Sequence, residues 1–371
     1  KEIWEDSIME AIKQTTLVKQ MSNRSIERMS GNTIRNNTME YYFLKLLANG
    51  IVKSRMSQAE INQLRNRMKR LQGCNKFWLT ETYEKSHIKV LLHTYLCKDK
   101  FCNNCSQMKK IILQNRFLPH LQKYQDNLYH IVLTVPDCNG ENLRNTIWKM
   151  NTCFKTLVTY LNGNKKVKGL DLSSYGFQGC IRSLEITYKE DSYHPHFHVA
   201  AVLGNNVAAE EKYIVNEFSS RGKRHFSNFE ALLQRLWWLL INQKRLTFDN
   251  INNEDSSLGR YSCTVDKFQS DDYRNLFGYM TKMYGEDNSE MTYDNFKALY
   301  YATYRVRQIQ GYGVFYNVKE ANSEHYTEAD YDVLEDYLLC KEKPISAYEP
   351  LSHFSVANGY KLVKHPLKNR V

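Results

Sequence analysis

The chain has 371 residues, 42% of them hydrophobic, enough for two or three domains with real cores. Its formal net charge of +11 and sequence pI near 9.0 suggest a polyanionic partner, since Lys and Arg neutralise phosphates. No apolar run is long enough to cross a membrane, and the start of the chain lacks the basic, apolar, small-residue order of a secretory signal. The nine cysteines, an odd and mostly scattered set, fit a reducing cytosol with free thiols and one metal cluster, so a cytoplasmic protein is expected.

Residues 1–70 read as a helical N-terminal region. Apolar residues recur at helical spacing at Ile3, Ile8, Ala11 and Ile12, and again at Met39, Tyr42, Phe43, Leu46 and Leu47. The polar stretch from Ser22 to Asn37 reads as a linker or loop. Between Lys53 and Lys76 seven basic residues stand against the single acid Glu60, and Ser57 with Glu60 forms a capping box opening the helix that carries most of them. Such a helix serves equally well as a solvated face or as a contact to a DNA backbone.

Residues 71–125 read as a cysteine-rich, basic module. Cys102 and Cys105 form a Cys-x-x-Cys pair that lets two thiolates from one tight turn reach the same ion, and Cys97 is close enough in sequence to join them. Structural zinc takes four ligands, and Cys74 is the nearest further cysteine, with His93 as its competitor. A redox pair would need a strand-then-helix setting that is missing here.

Residues 126–318 carry the chemistry. Tyr129 to Val135 alternates as a strand, Pro136 to Gly140 turns, and Asn142 to Leu161 is an amphipathic helix with Leu143, Ile147, Met150, Phe154, Leu157 and Leu161 on one face. Gly179 to Tyr188 and Tyr193 to Leu203 are strands joined by the four residues Lys189 to Ser192. Phe229 to Asn242 is helical, and Arg260 to Phe268 is a further strand. His194, His196 and His198 alternate on the second strand of the hairpin and therefore project from one face. If Tyr188 pairs with Tyr193, Thr187 faces His194, Glu185 faces His196 and Ser183 faces His198. This register brings a carboxylate beside imidazoles, as a ligand or as a group that orients one, and a slip of one residue would remove it.

Asp271 to Gly285 reads as a helix, capped by Ser270, with two stripes. Tyr273, Leu276, Phe277, Met280 and Tyr284 form the apolar one; Asp272, Asn275, Tyr279 and Lys282 form the other. Tyr279 is thus the aromatic residue off the core face, beside a cation. A free phenol has a pKa of about 10, and a metal-bound phosphate with a nearby cation would help it attack.

Taken in order, the Cys74, Cys97, Cys102 and Cys105 set, the strand Leu133-Thr134-Val135-Pro136, Glu185-Ile186-Thr187-Tyr188 followed by His194-Pro195-His196-Phe197-His198, Gly278-Tyr279-Met280-Thr281-Lys282, and the late Arg305 to Phe315 segment resemble a rolling-circle plasmid replication initiator of the HUH-endonuclease superfamily. The resemblance runs from about Cys74 to Phe315. It implies an α+β fold: a small antiparallel β-sheet of HUH type with helices packed on it, preceded by a zinc-binding and helical N-terminal region. It also implies Mg²⁺ or Mn²⁺ held by His196, His198 and Glu185, a structural Zn²⁺, Tyr279 as the nucleophile forming a 5′-phosphotyrosine, and Lys282 stabilising phosphate charge. His194 matches a position near the site. Single-stranded or origin DNA is the implied substrate, with host helicase and DNA polymerase as partners, no membrane, and self-association of the chain left open.

One departure stands out. Relatives of this kind often carry Glu four residues before the tyrosine, where this chain has Asn275; Asp272, one turn further back, could substitute through water. Tyr284, five residues on, is turned away from Tyr279 and makes a poor second nucleophile. A conjugative relaxase, an HUH transposase and a zinc-stabilised DNA-binding regulator without catalysis are the alternative readings. No helicase P-loop follows and no paired catalytic tyrosines stand at helical i, i+4 spacing, which favours plasmid replication. Residues 319–371 read as an acidic tail, since Glu320 to Asp336 holds seven acids and neither Lys nor Arg.

Overall fold

The computed structural model describes residues 19–52, 56–204, 207, 212–215, 224–253, 263–268, 291–318, 342–351, 354 and 359–364. The chain opens with β1 (Lys19–Gln20), α1 (Asn23–Val52), α2 (Gln58–Gly73), β2 (Phe77–Tyr83), β3 (Ile88–Thr94) and α3 (Asn103–Gln122). Next come β4 (Leu128–Thr134), α4 (Gly140–Leu161), β5 (Gly179–Lys189), β6 (Ser192–Val202), β7 (Lys212–Val215), β8 (Arg224–Ser227), α5 (Asn228–Ile241), α6 (Phe248–Asn252) and β9 (Cys263–Lys267). It ends with α7 (Tyr293–Ala302), β10 (Ile309–Gly313), β11 (Ile345–Pro350) and β12 (Lys361–Lys364). Two compact units result, residues 1–109 with 322–371, and residues 110–321. No helix among the described residues is long and apolar enough to cross a membrane.

In the first unit the sheet runs β1-β12-β3-β2-β11, with β12 parallel to β3 and the other pairs antiparallel. Met21, Ile26, Trp78, Leu91, Leu351, Phe354 and Leu362 form its core. The sequence reading takes Ser22 to Asn37 as a linker; the structure corrects this, because the stretch is the first half of the 30-residue helix α1. Its buried positions do keep the helical period, but Asn32 and Asn36 occupy two of them, each 5% exposed. A search for apolar periodicity passes over such a stripe. The strands Phe77–Tyr83 and Ile88–Thr94 also went unread, and Ile345–Pro350 and Lys361–Lys364, within the stretch read as an acidic tail, are strands of this same sheet. α2 starts as expected: the Ser57 hydroxyl accepts from the Glu60 N–H, and the Ser57 N–H donates back to the Glu60 carboxylate.

The second unit is built on an antiparallel five-stranded sheet in the order β10-β5-β6-β4-β9. One face carries α4 and α5. The expected stripe from Leu143 to Leu161 is buried, with Phe154 edge-on to Phe197 and the Trp237 indole N–H donating to the Thr134 carbonyl at 2.8 Å. The other face splits along the strands. At one end Leu113, Phe117 and Leu121 of α3 pack on Ile181, Ala200, Val202, Phe268 and Phe315; at the other end the same face carries the histidines. The β5–β6 turn is tighter than expected, since Lys189 still pairs with Ser192 and only Glu190 and Asp191 connect the strands. Gly179 and Gly313 sit opposite one another where β5 meets β10, and their backbones approach too closely for a Cβ on either.

Candidate metal centres

Two groups among the described residues could hold a metal ion: Glu185 with His196 and His198, and Cys74 with Cys97, Cys102 and Cys105. Each is set in place by a hairpin.

The first lies on β5 and β6. Thr187 pairs with His194, Glu185 with His196 and Ser183 with His198, the register expected from the Tyr188–Tyr193 pair. Both imidazoles converge on one carboxylate oxygen: Glu185 Oε2 lies 2.9 Å from His196 Nε2 and 2.8 Å from His198 Nε2. All three side chains are largely buried, at 6%, 11% and 8% exposure for Glu185, His196 and His198. Burial pushes the Glu185 carboxyl upward, but the hydrogen bonds and charge of the two histidines outweigh it and hold the group at about 2. It is therefore an anion at neutral pH, with both ring nitrogens aimed at it.

The far nitrogens of the rings are also engaged. His196 Nδ1 donates to the His194 carbonyl at 3.2 Å, and His198 Nδ1 lies 3.0 Å from His130 Nε2, the His130 and His198 rings stacked with centroids 5.3 Å apart. An Nδ1–H so occupied leaves Nε2 as the coordinating atom of a neutral imidazole. The donor set of two nitrogens and one carboxylate oxygen suits a divalent cation with open positions. His194 turns elsewhere: its Nδ1 is 2.6 Å from Asp137 Oδ1, whose other oxygen accepts from Ser192 Oγ at 3.1 Å.

The second group closes on itself. Cys74 leads into β2, Cys97 follows β3, and Cys102 and Cys105 flank the start of α3. Sulfur–sulfur distances are 3.6 Å for Cys74–Cys105 and Cys97–Cys105, and 3.4 Å for Cys74–Cys102. Four thiolates about 2.3 Å from one tetrahedral zinc stand roughly 3.8 Å apart, so the set needs little adjustment. Cys74, rather than His93, completes it. Hydrogen bonding to Cys102, ahead of burial, pushes the Cys74 and Cys97 thiols up, and the same bonds, led by that from Cys105, hold the Cys102 thiol down. N–H donors support negative charge here: the Lys98 backbone N–H donates to Cys105 Sγ at 3.2 Å and the Asn36 side-chain amide to Cys102 Sγ at 3.2 Å. Arg67 clamps the turn through two bonds to Asp99, at 2.7 and 3.1 Å.

Tyr279, Lys282, Asp272 and Asn275 lie outside the described residues. The sequence reading missed His130, Asp137 and Asn36. His130 was within reach, since it alternates with Val132 and Thr134 on a strand already recognised and shares their face. Asp137, in a turn, and Asn36, in a supposed linker, carried no periodic signal.

A family model described as Replication protein, Rep_1, matches residues 88–218. A "Protein rep" of Staphylococcus aureus is 28% identical over 161 residues, covering 41% of this chain and 65% of that protein. Proteins of the same description from Bacillus amyloliquefaciens and a Bacillus species are 33% and 32% identical over 140 residues, each across 36% of this chain and across 38% and 42% of their own lengths. The chain thus spans less than two thirds of each of these relatives, and no solved structure matches it. The segment matched by the replication-protein model contains Cys97, Cys102, Cys105, Glu185, His196 and His198, so the likeness to these replication proteins falls on both ligand groups.

Proposed function

We propose that the chain is a DNA-nicking and strand-transfer enzyme of HUH type that initiates rolling-circle replication of a plasmid. The observation carrying this reading is the convergence of His196 Nε2 and His198 Nε2 on one Glu185 oxygen, within a Rep_1 match. Mg²⁺ or Mn²⁺ bound there would polarise the scissile phosphate of single-stranded origin DNA. A carboxylate and a phosphoryl substrate favour such a hard ion over zinc at this site.

Within this scheme Glu185 supplies the anionic ligand, and His196 and His198 supply neutral nitrogens fixed by the His194 carbonyl and His130. The Tyr279 phenolate attacks phosphorus in line. The phosphodiester bond to the upstream 3′-oxygen breaks, a 5′-phosphotyrosine forms, and the free 3′-hydroxyl becomes the primer for a host polymerase, with a host helicase opening the duplex. Lys282 stabilises charge on the phosphate. The Cys74, Cys97, Cys102 and Cys105 cluster holds Zn²⁺ as a closed structural site.

Mass spectrometry of the reaction with a single-stranded origin oligonucleotide and Mn²⁺ tests this directly. The expected product is an oligonucleotide joined through its 5′-phosphate to Tyr279, with Tyr279→Phe forming none. An adduct that persists in Tyr279→Phe, or one mapped to another residue, removes the assignment.

A further inference from the structure

One face of the first unit's sheet lies in the core; the other is buried at Tyr83, Ile88 and Val90 and open at the Phe77 end of β2 and on β11. Trp78 and Thr80 point into the core, at 1% and 0% exposure. Phe77 and Leu79 alternate with them. Tyr348 on β11 pairs directly with Leu79, which pairs in turn with His93 on β3, so one row of the open face reads Tyr348, Leu79, His93 across three strands. Phe77 occupies the next position of that face on β2, and Tyr95 follows β3 at the same end, where the Asn75 N–H donates to its carbonyl at 2.8 Å. Tyr348 is 73%, Phe77 57% and Tyr95 45% exposed, and His93 is exposed too.

Aromatic rings left in water this way are out of place on a face that could have been polar. A cation stands at this end of the face: Arg70 in the last turn of α2 opposes the rise that burial gives the Tyr95 phenol, and Lys76 and Lys98 are the sequence neighbours of Phe77 and Cys97. Glu81 is the acid of this face and accepts from the Tyr83 hydroxyl at 3.2 Å; Glu349 lies on the opposite face, paired with Lys89 at 2.7 Å. The four-cysteine cluster joins the β2 and β3 ends that carry Phe77 and Tyr95, so a bound ion would hold this end of the face rigid.

We propose that the face bearing Phe77, Tyr95, His93 and Tyr348 is a stacking platform for single-stranded DNA. Flat rings spaced along and across strands, with cations at their margin, accept successive bases without reading their sequence. The inference rests on the reading of the chain as an enzyme of single-stranded DNA, and gives that substrate a contact on the first unit besides the metal-ligating histidines of the second.

The test is fluorescence anisotropy of the full chain with a labelled oligothymidylate and no added divalent cation. Phe77→Ala and Tyr348→Ala should each weaken binding roughly 5- to 150-fold, the equivalent of one lost base–aromatic stack. Phe77→Trp and Tyr348→Trp should retain it. Affinity unchanged in the alanine variants overturns the proposal. So does equal loss in the alanine and tryptophan variants with unchanged circular dichroism, which would mark a packing role. A dimer that dissociates in Tyr348→Ala while oligothymidylate binding holds would assign the face to a second copy of the chain instead. The two readings fail separately: origin-strand adducts with unaltered alanine-variant binding remove the platform and leave the nicking reaction, whereas ring-dependent binding without any adduct does the reverse.

Discussion

The two ligand groups differ in what they leave open. In the cysteine cluster every thiol is buried, and backbone or side-chain N–H groups from Cys97, Lys98, Asp99 and Asn36 donate to the sulfurs. Four sulfurs fill a tetrahedral ion, leaving no position for a substrate. The glutamate–histidine group offers three donors on one sheet face, with His194 and Asp137 more exposed beside it, at 37% and 59% for their side chains. Three donors cannot saturate Mg²⁺ or Mn²⁺, which keep positions for water or phosphate oxygens. One arrangement is suited to holding a fold, the other to holding a reactant. The sharpest way to break this contrast is to remove one ligand from each.

Cys102→Ser should have the largest effect. Structural zinc contributes on the order of 10–16 kcal/mol in small domains, comparable to or above the roughly 5–15 kcal/mol that separates a folded domain from its unfolded chain. The variant should lose bound zinc by elemental analysis and lose the cooperative melting of the first unit. A strong chelator should do the same to the wild-type protein, and Mn²⁺ should not reverse it. A Cys102→Ser protein with an unchanged melt would show that the cluster is a set of packed thiols.

Glu185→Gln comes next. The amide preserves shape and removes the charge on which both imidazoles converge. Mn²⁺ affinity, followed by electron paramagnetic resonance, should fall by more than the roughly 10- to 100-fold typical of losing an outer hydrogen-bond partner, with the circular dichroism of the fold retained. The same variant carries a pH test. The folded Glu185 carboxyl is held at about 2, below its ordinary 4.5. Its contribution to the stability of the metal-free protein is therefore complete above about pH 4.5 and disappears as pH falls toward 2. The stability gap between wild type and Glu185→Gln should narrow across that window; a gap independent of pH would mean that the histidines do not favour the carboxylate form.

The contrast also explains what could be read in advance. Cys97, Cys102 and Cys105 lie within nine residues, and His194, His196 and His198 within five, so chain spacing nearly fixes their geometry. Glu185 was legible because a hairpin turns antiparallel pairing into arithmetic: once Tyr188 meets Tyr193, Glu185 must meet His196. Contacts that depend on distant packing gave no such handle. Asn36 meets Cys102 across 66 residues because a helix stripe substitutes asparagine where apolar side chains were sought. β12 joins β3 in parallel from the far end of the chain, a pairing no local pattern announces.

His130 is the finest test of how far the open site depends on its surroundings. Its Nε2 lies 3.0 Å from His198 Nδ1, on a strand whose register also sets Asp266 directly opposite it on β9. If His130 fixes the tautomer that leaves His198 Nε2 free to coordinate, His130→Ala should weaken Mn²⁺ binding about 10- to 100-fold while Glu185, His196 and His198 all remain. His130→Asn, which can still accept from an imidazole N–H, should recover part of the loss. The partial rescue separates positioning from bulk, since a cavity left by the missing ring would affect melting temperature more than metal affinity. Equal Mn²⁺ affinity in wild type and His130→Ala would leave the stacked pair a matter of packing, and would place the whole tuning of the site in the three ligands themselves.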